Sequence, residues 1–190
     1  MKVLGICCSP RRNANTEIML QAALDKAQEE GAEVELVTLA GKTISPCDAC
    51  SSCLKTGKCH IKDDMQDIYP KLLEADGIIF GTPVYYWSVS AQAKALIDRT
   101  FIFDAESRLR NKVAGVVMTA QRSGVAGVVA TFSWFFTPQK MIMVGWADGF
   151  SGDEGYTDKS AVKKDKKGMA RAEALGEKVV KYIQSHQIPV

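Results

Sequence analysis

Five short apolar runs punctuate the chain: 2–7 (KVLGIC), 34–39 (VELVTL), 77–81 (GIIFG), 112–120 (KVAGVVMTA) and 141–145 (MIMVG). Runs this short and this continuously apolar read as strands buried on both faces, as in a parallel sheet. The second run alternates apolar with polar residues and fits a half-buried edge strand. Helical patterns separate the runs. One spans about Thr16 to Glu30 and stops at Gly31, as a C-cap would do. Residues 63–75 (DDMQDIYPKLLEA) open on acidic residues, which the helix dipole favours, and carry Pro70, where a kink is expected. Others run near Ala91 to Phe103, through the uncharged stretch Gly124 to Gln139, and near Lys163 to Ser185. Strand and helix thus alternate five times, which predicts an α/β protein with a parallel sheet covered on both faces.

Five such units fit the flavodoxin-like strand order 2-1-3-4-5, whose ligand crevice lies at the carboxyl ends of strands 1 and 3. The expected fold is a flavodoxin-like five-stranded parallel sheet with helices on both faces and a cysteine-rich loop after strand 2. No repeat, linker or low-complexity tract interrupts the pattern. It predicts one domain over residues 1–190, with the cysteine-rich loop at 45–62. A response-regulator receiver shares this strand order but needs acidic residues at the end of strand 1 to hold Mg²⁺. Here Cys7 and Cys8 stand at that position, which excludes it.

Composition narrows the setting. With 46% hydrophobic and 24% charged residues over 190 positions, the chain has the mix of a soluble globular protein. A net charge of +2 calls for neither nucleic acid nor an anionic membrane as partner. The opening MKVLGICCSP lacks the apolar h-region and cleavage site of a signal peptide, so a cytoplasmic location is expected. The uncharged segment 124–139 falls short of the roughly 20 residues of a membrane span and reads as a buried or subunit-interface helix.

Two loops at the expected crevice carry candidate chemistry. After strand 1, SPRRNANT (9–16) supplies Ser9, Asn13, Asn15 and Thr16 as polar partners and Arg11 and Arg12 as charged donors, beside a helix N-terminus. That is a phosphate cradle. It is neither G-x-G-x-x-G nor a Walker A sequence, which favours a mononucleotide phosphate held without Mg²⁺. The competing reading is an ordinary polar loop with an Asn or Thr cap. After strand 3, Pro83, Val84, Tyr85, Tyr86 and Trp87 combine a stiff backbone with planar faces. Such a group suits a flat heteroaromatic ring such as isoalloxazine, because three consecutive aromatics cannot all face a core.

Four of the six cysteines fall in one window, CDACSSCLKTGKC (47–59). Three readings compete for it. Structural zinc usually pairs two C-x2–4-C knuckles across a longer loop. Free thiols or disulfides form the second reading, but structural disulfides are rare inside cells and cysteines two residues apart bridge only with strain. The equal spacing of Cys47, Cys50 and Cys53 resembles the start of ferredoxin ligation and favours the third, a 4Fe-4S cluster completed by Cys59. His60 reads as a solvated loop histidine, and KKDKK (163–167) as a solvated face. Cys7 is expected in the core and Cys8 in the wall of the flavin crevice.

The motifs SPRxxxNT, TPVYYWSVSAQAKALIDR and CDACSSCLKTGKCHIKDDM together resemble those of the iron–sulfur flavoproteins of anaerobic microbes, a branch of the flavodoxin-like NAD(P)H-dependent FMN reductase superfamily. The similarity runs over nearly the whole chain and is densest from Met1 to Arg99. It implies FMN with its phosphate on Ser9, Arg11, Asn15 and Thr16, and its ring against Pro83, Val84, Tyr85, Tyr86 and Trp87. The loop 119–124, with Thr119, Gln121 and Gly124, would close over the far side of the ring. The resemblance also implies a 4Fe-4S cluster on the four clustered cysteines and a homotetramer whose subunits complete one another's flavin sites. The chain departs from the family at Cys7-Cys8 and Trp87, where small residues are usual, and at Ala120-Gln121, where a Gly-Gly pair is usual.

The function expected is a redox flavoprotein that passes electrons between a 4Fe-4S cluster and FMN. A ferredoxin-like donor would supply them, and a small acceptor such as O2 or H2O2 would receive them. The alternative is an NAD(P)H-dependent FMN or quinone reductase with structural or zinc-binding cysteines. A flavin-bearing redox sensor ranks third. No residue stands out as a general acid or base, so none is assigned as catalytic.

Overall fold

The computed structural model describes residues 1–186; the last four residues of the expected domain lie outside the described residues. Five parallel strands form one sheet: β1 (Lys2–Cys7), β2 (Glu33–Thr38), β3 (Gly77–Pro83), β4 (Val113–Ala120) and β5 (Ile142–Phe150). Their order is β2-β1-β3-β4-β5, which makes it flavodoxin-like. Helices α1 (Asn15–Glu29) and α6 (Lys166–Ser185) cover one face. Helices α3 (Met65–Glu74), α4 (Ala91–Arg99) and α5 (Val125–Phe136) cover the other, and the short α2 (Ser52–Thr56) lies within the cysteine loop. No helix among the described residues is long and apolar enough to cross a membrane.

Local chemistry sets these boundaries. Gly31 takes φ +92°, so its N–H and that of Ala32 turn back to the Gln28 and Ala27 carbonyls at 2.9 and 3.1 Å and close α1. The side chain of Ser90 accepts from Ala93 N–H at 3.2 Å and starts α4, and the same hydroxyl donates to the Cys8 carbonyl at 2.7 Å. Helix α3 runs through Pro70 without a break; one lost backbone hydrogen bond is outweighed by burial of Met65, Ile68, Tyr69 and Leu72.

Both faces of the sheet are dry. On the α1/α6 face, Val3, Cys7, Ile79 and Val117 meet Leu20, Leu24, Leu175 and Val179. On the opposite face, Phe80 gathers Phe132, Phe135 and Phe136 of α5 at centroid distances of 5.3 to 5.8 Å. Removing one such ring costs about 3–5 kcal/mol. The uncharged segment is therefore a helix with one side in the core. Its other side is open, with Trp134 79% exposed.

Cys8 departs from expectation. It continues the extended path of β1, with its N–H on the Gly81 carbonyl at 2.7 Å, so it faces the side opposite Cys7. That side is covered too. Both cysteines are fully buried, and Cys8 does not line the crevice. Burial pushes the Cys7 thiol up to about 11 and the Cys8 thiol well above its ordinary value.

Candidate functional site

A cleft of about 810 Å³ opens at the carboxyl ends of β1, β3 and β4. Its walls include Ser9, Arg11, Asn15, Thr16, Pro83, Val84, Tyr85, Tyr86, Trp87, Thr119 and Gln121. Gly124 stands outside the lining; at φ +97° it supports the ring loop from below, where a Cβ would meet Val84 and Trp87 at 2.9 and 3.0 Å.

The phosphate end of the cleft is built from backbone more than from side chains. Ala14 occupies the N-cap of α1 and offers no side-chain acceptor, so the first-turn N–H groups are left for a ligand. An Asn or Thr cap would have consumed one of them. The Arg11 guanidinium lines the cleft and donates to the Gly155 carbonyl at 2.9 Å. Arg12 turns away and donates to the Ala40 carbonyl at 3.0 Å. The Asn15 amide is committed elsewhere: its Oδ1 accepts from Val162 N–H at 2.9 Å and its Nδ2 donates to the Asp158 carbonyl at 3.4 Å. Thr16 and Thr119 hydroxyls meet at 2.6 Å and tie the phosphate loop to the end of β4.

The ring loop folds as a tight hairpin. Tyr85 and Ser88 exchange both backbone hydrogen bonds, at 2.9 and 3.0 Å, and Tyr86 and Trp87 between them take φ +46° and +60°. Positive φ at both central residues is what a type I′ turn requires, and Asn-Gly normally meets it. Two aromatic residues hold it at a cost in backbone strain, and strain of this kind gathers at functional sites. Tyr86 is 95% exposed and Trp87 66%, so the turn presents its planar faces outward.

One wall escaped the sequence reading. The loop after β5 brings Ser151, Gly152, Gly155 and Tyr156 into the cleft. Tyr156 donates to Gln121 Oε1 at 2.8 Å, while Gln121 Nε2 and Arg122 both donate to Asp153. The available signal was topological, because β5 lies beside β4 and their carboxyl ends share one rim.

The four clustered cysteines line a second cavity, of about 580 Å³. Cys47 and Cys50 are exposed, Cys53 and Cys59 half-buried. Ala49 and Ser51 take φ +56° and +59°, which turns the chain sharply on either side of Cys50. Cys53 lies on α2, whose last turn Gly57 closes at φ +66° with its N–H on the Cys53 carbonyl at 2.9 Å. His60 is paired with Asp48 at 2.7 Å, and the ligand atoms of Asp48, Cys50 and His60 lie within 4.8 Å of one another. The far wall is apolar: Ile97, Phe101, Ile102, Trp134 and Phe135.

A buried ion pair clamps the base of this loop. Asp63 and Arg99 meet end-on, the two terminal guanidinium nitrogens donating to the two carboxylate oxygens at 2.7 and 3.1 Å. Arg99 also donates to the Ser45 carbonyl at 2.9 Å and the Ile61 carbonyl at 3.4 Å, and Asp63 accepts from Ser45 N–H at 2.8 Å. Both ends of the cysteine segment thus converge on one pair of side chains.

The model of the family described as NADPH-dependent FMN reductase matches residues 1–150. An iron–sulfur flavoprotein of Methanocaldococcus jannaschii is 39% identical over 97% of this chain and 98% of its own length. One of Archaeoglobus fulgidus is 34% identical over 97% of this chain and 81% of its own. Among solved structures, RosB with a bound 8-demethyl-8-formylriboflavin-5′-phosphate superposes with a TM-score of 0.75 at 18% identity, over all of this chain and 82% of that one, a likeness of fold. The match of family model and full-length relatives, on a flavodoxin-like sheet with a four-cysteine loop after β2, shows that the chain belongs to the iron–sulfur flavoprotein branch of the NADPH-dependent FMN reductase family.

Proposed function

We propose that this FMN-dependent oxidoreductase passes electrons between a 4Fe-4S cluster on Cys47, Cys50, Cys53 and Cys59 and an FMN in the cleft at the ends of β1, β3 and β4. The observation that carries the reading is the gathering of all four cysteines on one cavity that shares no lining residue with the cleft. Four thiols match the donor set of a cubane cluster, and the uncapped α1 N-terminus with Arg11 matches a phosphate monoester. An iron–sulfur cluster exchanges single electrons and a flavin one or two, so together they join one-electron donors to two-electron acceptors.

The chain's own residues position these groups. The α1 N–H groups and Arg11 offset phosphate charge, the Tyr85–Ser88 hairpin supplies a flat wall, and the Thr16–Thr119 contact ties the start of α1 to the end of β4. The Asp63–Arg99 clamp fixes the cysteine loop. A ferredoxin-like protein serves as donor and a small oxidant, O2 or H2O2, as acceptor. The working form in the cytoplasm is a homotetramer whose neighbours complete the flavin sites.

One observation favours a second reading. The Asp48, Cys50 and His60 set is chemically suited to a divalent ion such as zinc, in which case the chain is an NAD(P)H-dependent FMN or quinone reductase with structural cysteines. Anaerobic stopped-flow mixing separates the two. Fast flavin reduction by reduced ferredoxin and slow reduction by NADPH supports the cluster pathway; the reverse order overturns it.

A further inference from the structure

One wall of the cysteine cavity contains the cationic partner of a buried ion pair. Arg99 lines the cavity and is 2% exposed; its partner Asp63, its side chain 4% exposed, is not part of the lining. Both terminal guanidinium nitrogens are engaged by Asp63, Ser45 and Ile61. The Nε–H is also buried and has no partner among the described residues. A buried donor without an acceptor loses its hydration and gains nothing in return, so such a group marks a missing acceptor. Cys59 packs against the core cluster that contains Tyr69, whose hydroxyl donates to the Arg99 carbonyl at 3.2 Å, and Cys59 and Arg99 line the same cavity.

We propose that Arg99 is a positioning residue that raises the reduction potential of the cysteine-bound cluster, through its free Nε–H and the positive end of the Arg99–Asp63 pair. The inference rests on the 4Fe-4S reading given above. Adding one electron to a cysteine-bound cluster makes it more negative by one charge. A fixed cation in a low-dielectric wall stabilises that state, and hydrogen bonds to cluster sulfurs act in the same direction. Burial opposes the Arg99 charge, but the paired Asp63 carboxylate favours it, and the guanidinium stays protonated. The other charged side chains of the cavity, Asp48, Asp98 and Asp104, are exposed or half-exposed and are screened by water.

The test is the midpoint potential of the cluster, followed by EPR during anaerobic redox titration, with iron and sulfide assayed on each sample. For Arg99→Gln the ratio of reduced to oxidised cluster at the parent's midpoint falls about tenfold, a shift of about 59 mV for a one-electron couple. Arg99→Lys restores the charge and recovers part of that shift. Asp63→Asn removes the counter-ion and moves the midpoint the opposite way, and it carries the test if Arg99→Gln does not fold. Loaded variants that keep the parent's midpoint overturn the inference alone. A parent chain with no iron or sulfide overturns the cluster reading, and the inference with it.

Discussion

Gly127 lies directly under the Trp87 carbonyl: a Cβ at residue 127 would stand 1.8 Å from that oxygen. The first turn of α5 therefore seats the strained Tyr86-Trp87 turn, while the far end of the same helix, at Trp134 and Phe135, walls the cysteine cavity. One helix of 12 residues, about 18 Å long at 1.5 Å per residue, abuts both sites. Gly127→Ala should push the turn off the helix, weaken FMN binding and cost about 1–3 kcal/mol of stability, as overpacking does. Flavin fluorescence titration and urea unfolding check this; unchanged affinity and stability would mean that the turn seats elsewhere.

Trp87 takes φ +60° with a full side chain, where glycine would bear no penalty. Trp87→Gly should stabilise the fold by about 1 kcal/mol and open the ring face. NADPH-driven flavin reduction should then rise while ferredoxin-driven reduction is kept. A parent protein that already oxidises NADPH rapidly would show that Trp87 does not obstruct nicotinamide at the ring face.

Arg11 and Arg12 are adjacent in sequence and opposite in role. Arg11 lines the cleft, whereas Arg12 is anchored on the Ala40 carbonyl. Arg11→Ala should weaken FMN binding by about 1.5–3 kcal/mol, the worth of a hydrogen bond to a charged group. Arg12→Ala should leave the affinity near the parent's. Isothermal titration with FMN decides, and equal affinities for Arg11→Ala and parent would remove Arg11 from the phosphate site.

Acid should loosen the cysteine loop at its base. Burial alone would raise the Asp63 carboxyl, but Arg99 and the Ser45 and Met65 N–H groups outweigh it and hold its pKa below the ordinary value. The stability this contributes is present above the unfolded carboxyl pKa of about 3.9 and is lost as pH falls through the lower folded value. Thermal unfolding followed from pH 6 down to pH 2 should show that loss in the parent and a shallower slope in Asp63→Asn. Parallel curves for the two proteins would contradict the clamp.

Much of this was legible in the sequence, for identifiable reasons. Continuous apolar runs such as Gly77 to Gly81 mark strands buried on both faces, and Gly31 announces the end of α1 because only a left-handed residue completes that cap. Strand β5 was read only to Gly145, yet it continues to Phe150. Gly145, Asp148 and Gly149 disguise it, and Val144 is an extra residue that shifts its register against β4 between Ala114 and Gly115. The short helix at Ser52–Thr56 leaves no mark in the sequence, since five residues carry too little periodicity. The polarity of Asn15 is visible in sequence and suggests a phosphate partner, whereas its commitment to Val162, 147 positions away, is not visible there. The Arg99–Asp63 clamp was hidden in the same way, by 36 residues of separation.

The iron, acid-labile sulfide and zinc content of anaerobically prepared protein tests the central claim most directly. About four iron and four sulfide per chain are expected, lost or reduced when Cys47, Cys50, Cys53 or Cys59 is replaced by Ala and retained in Cys7→Ser and Cys8→Ser, which alter only buried core positions. FMN should stay bound in all six variants, because the cleft shares no lining residue with the cysteine cavity. Stoichiometric zinc without sulfide would contradict the account and leave an FMN reductase whose cysteines are structural.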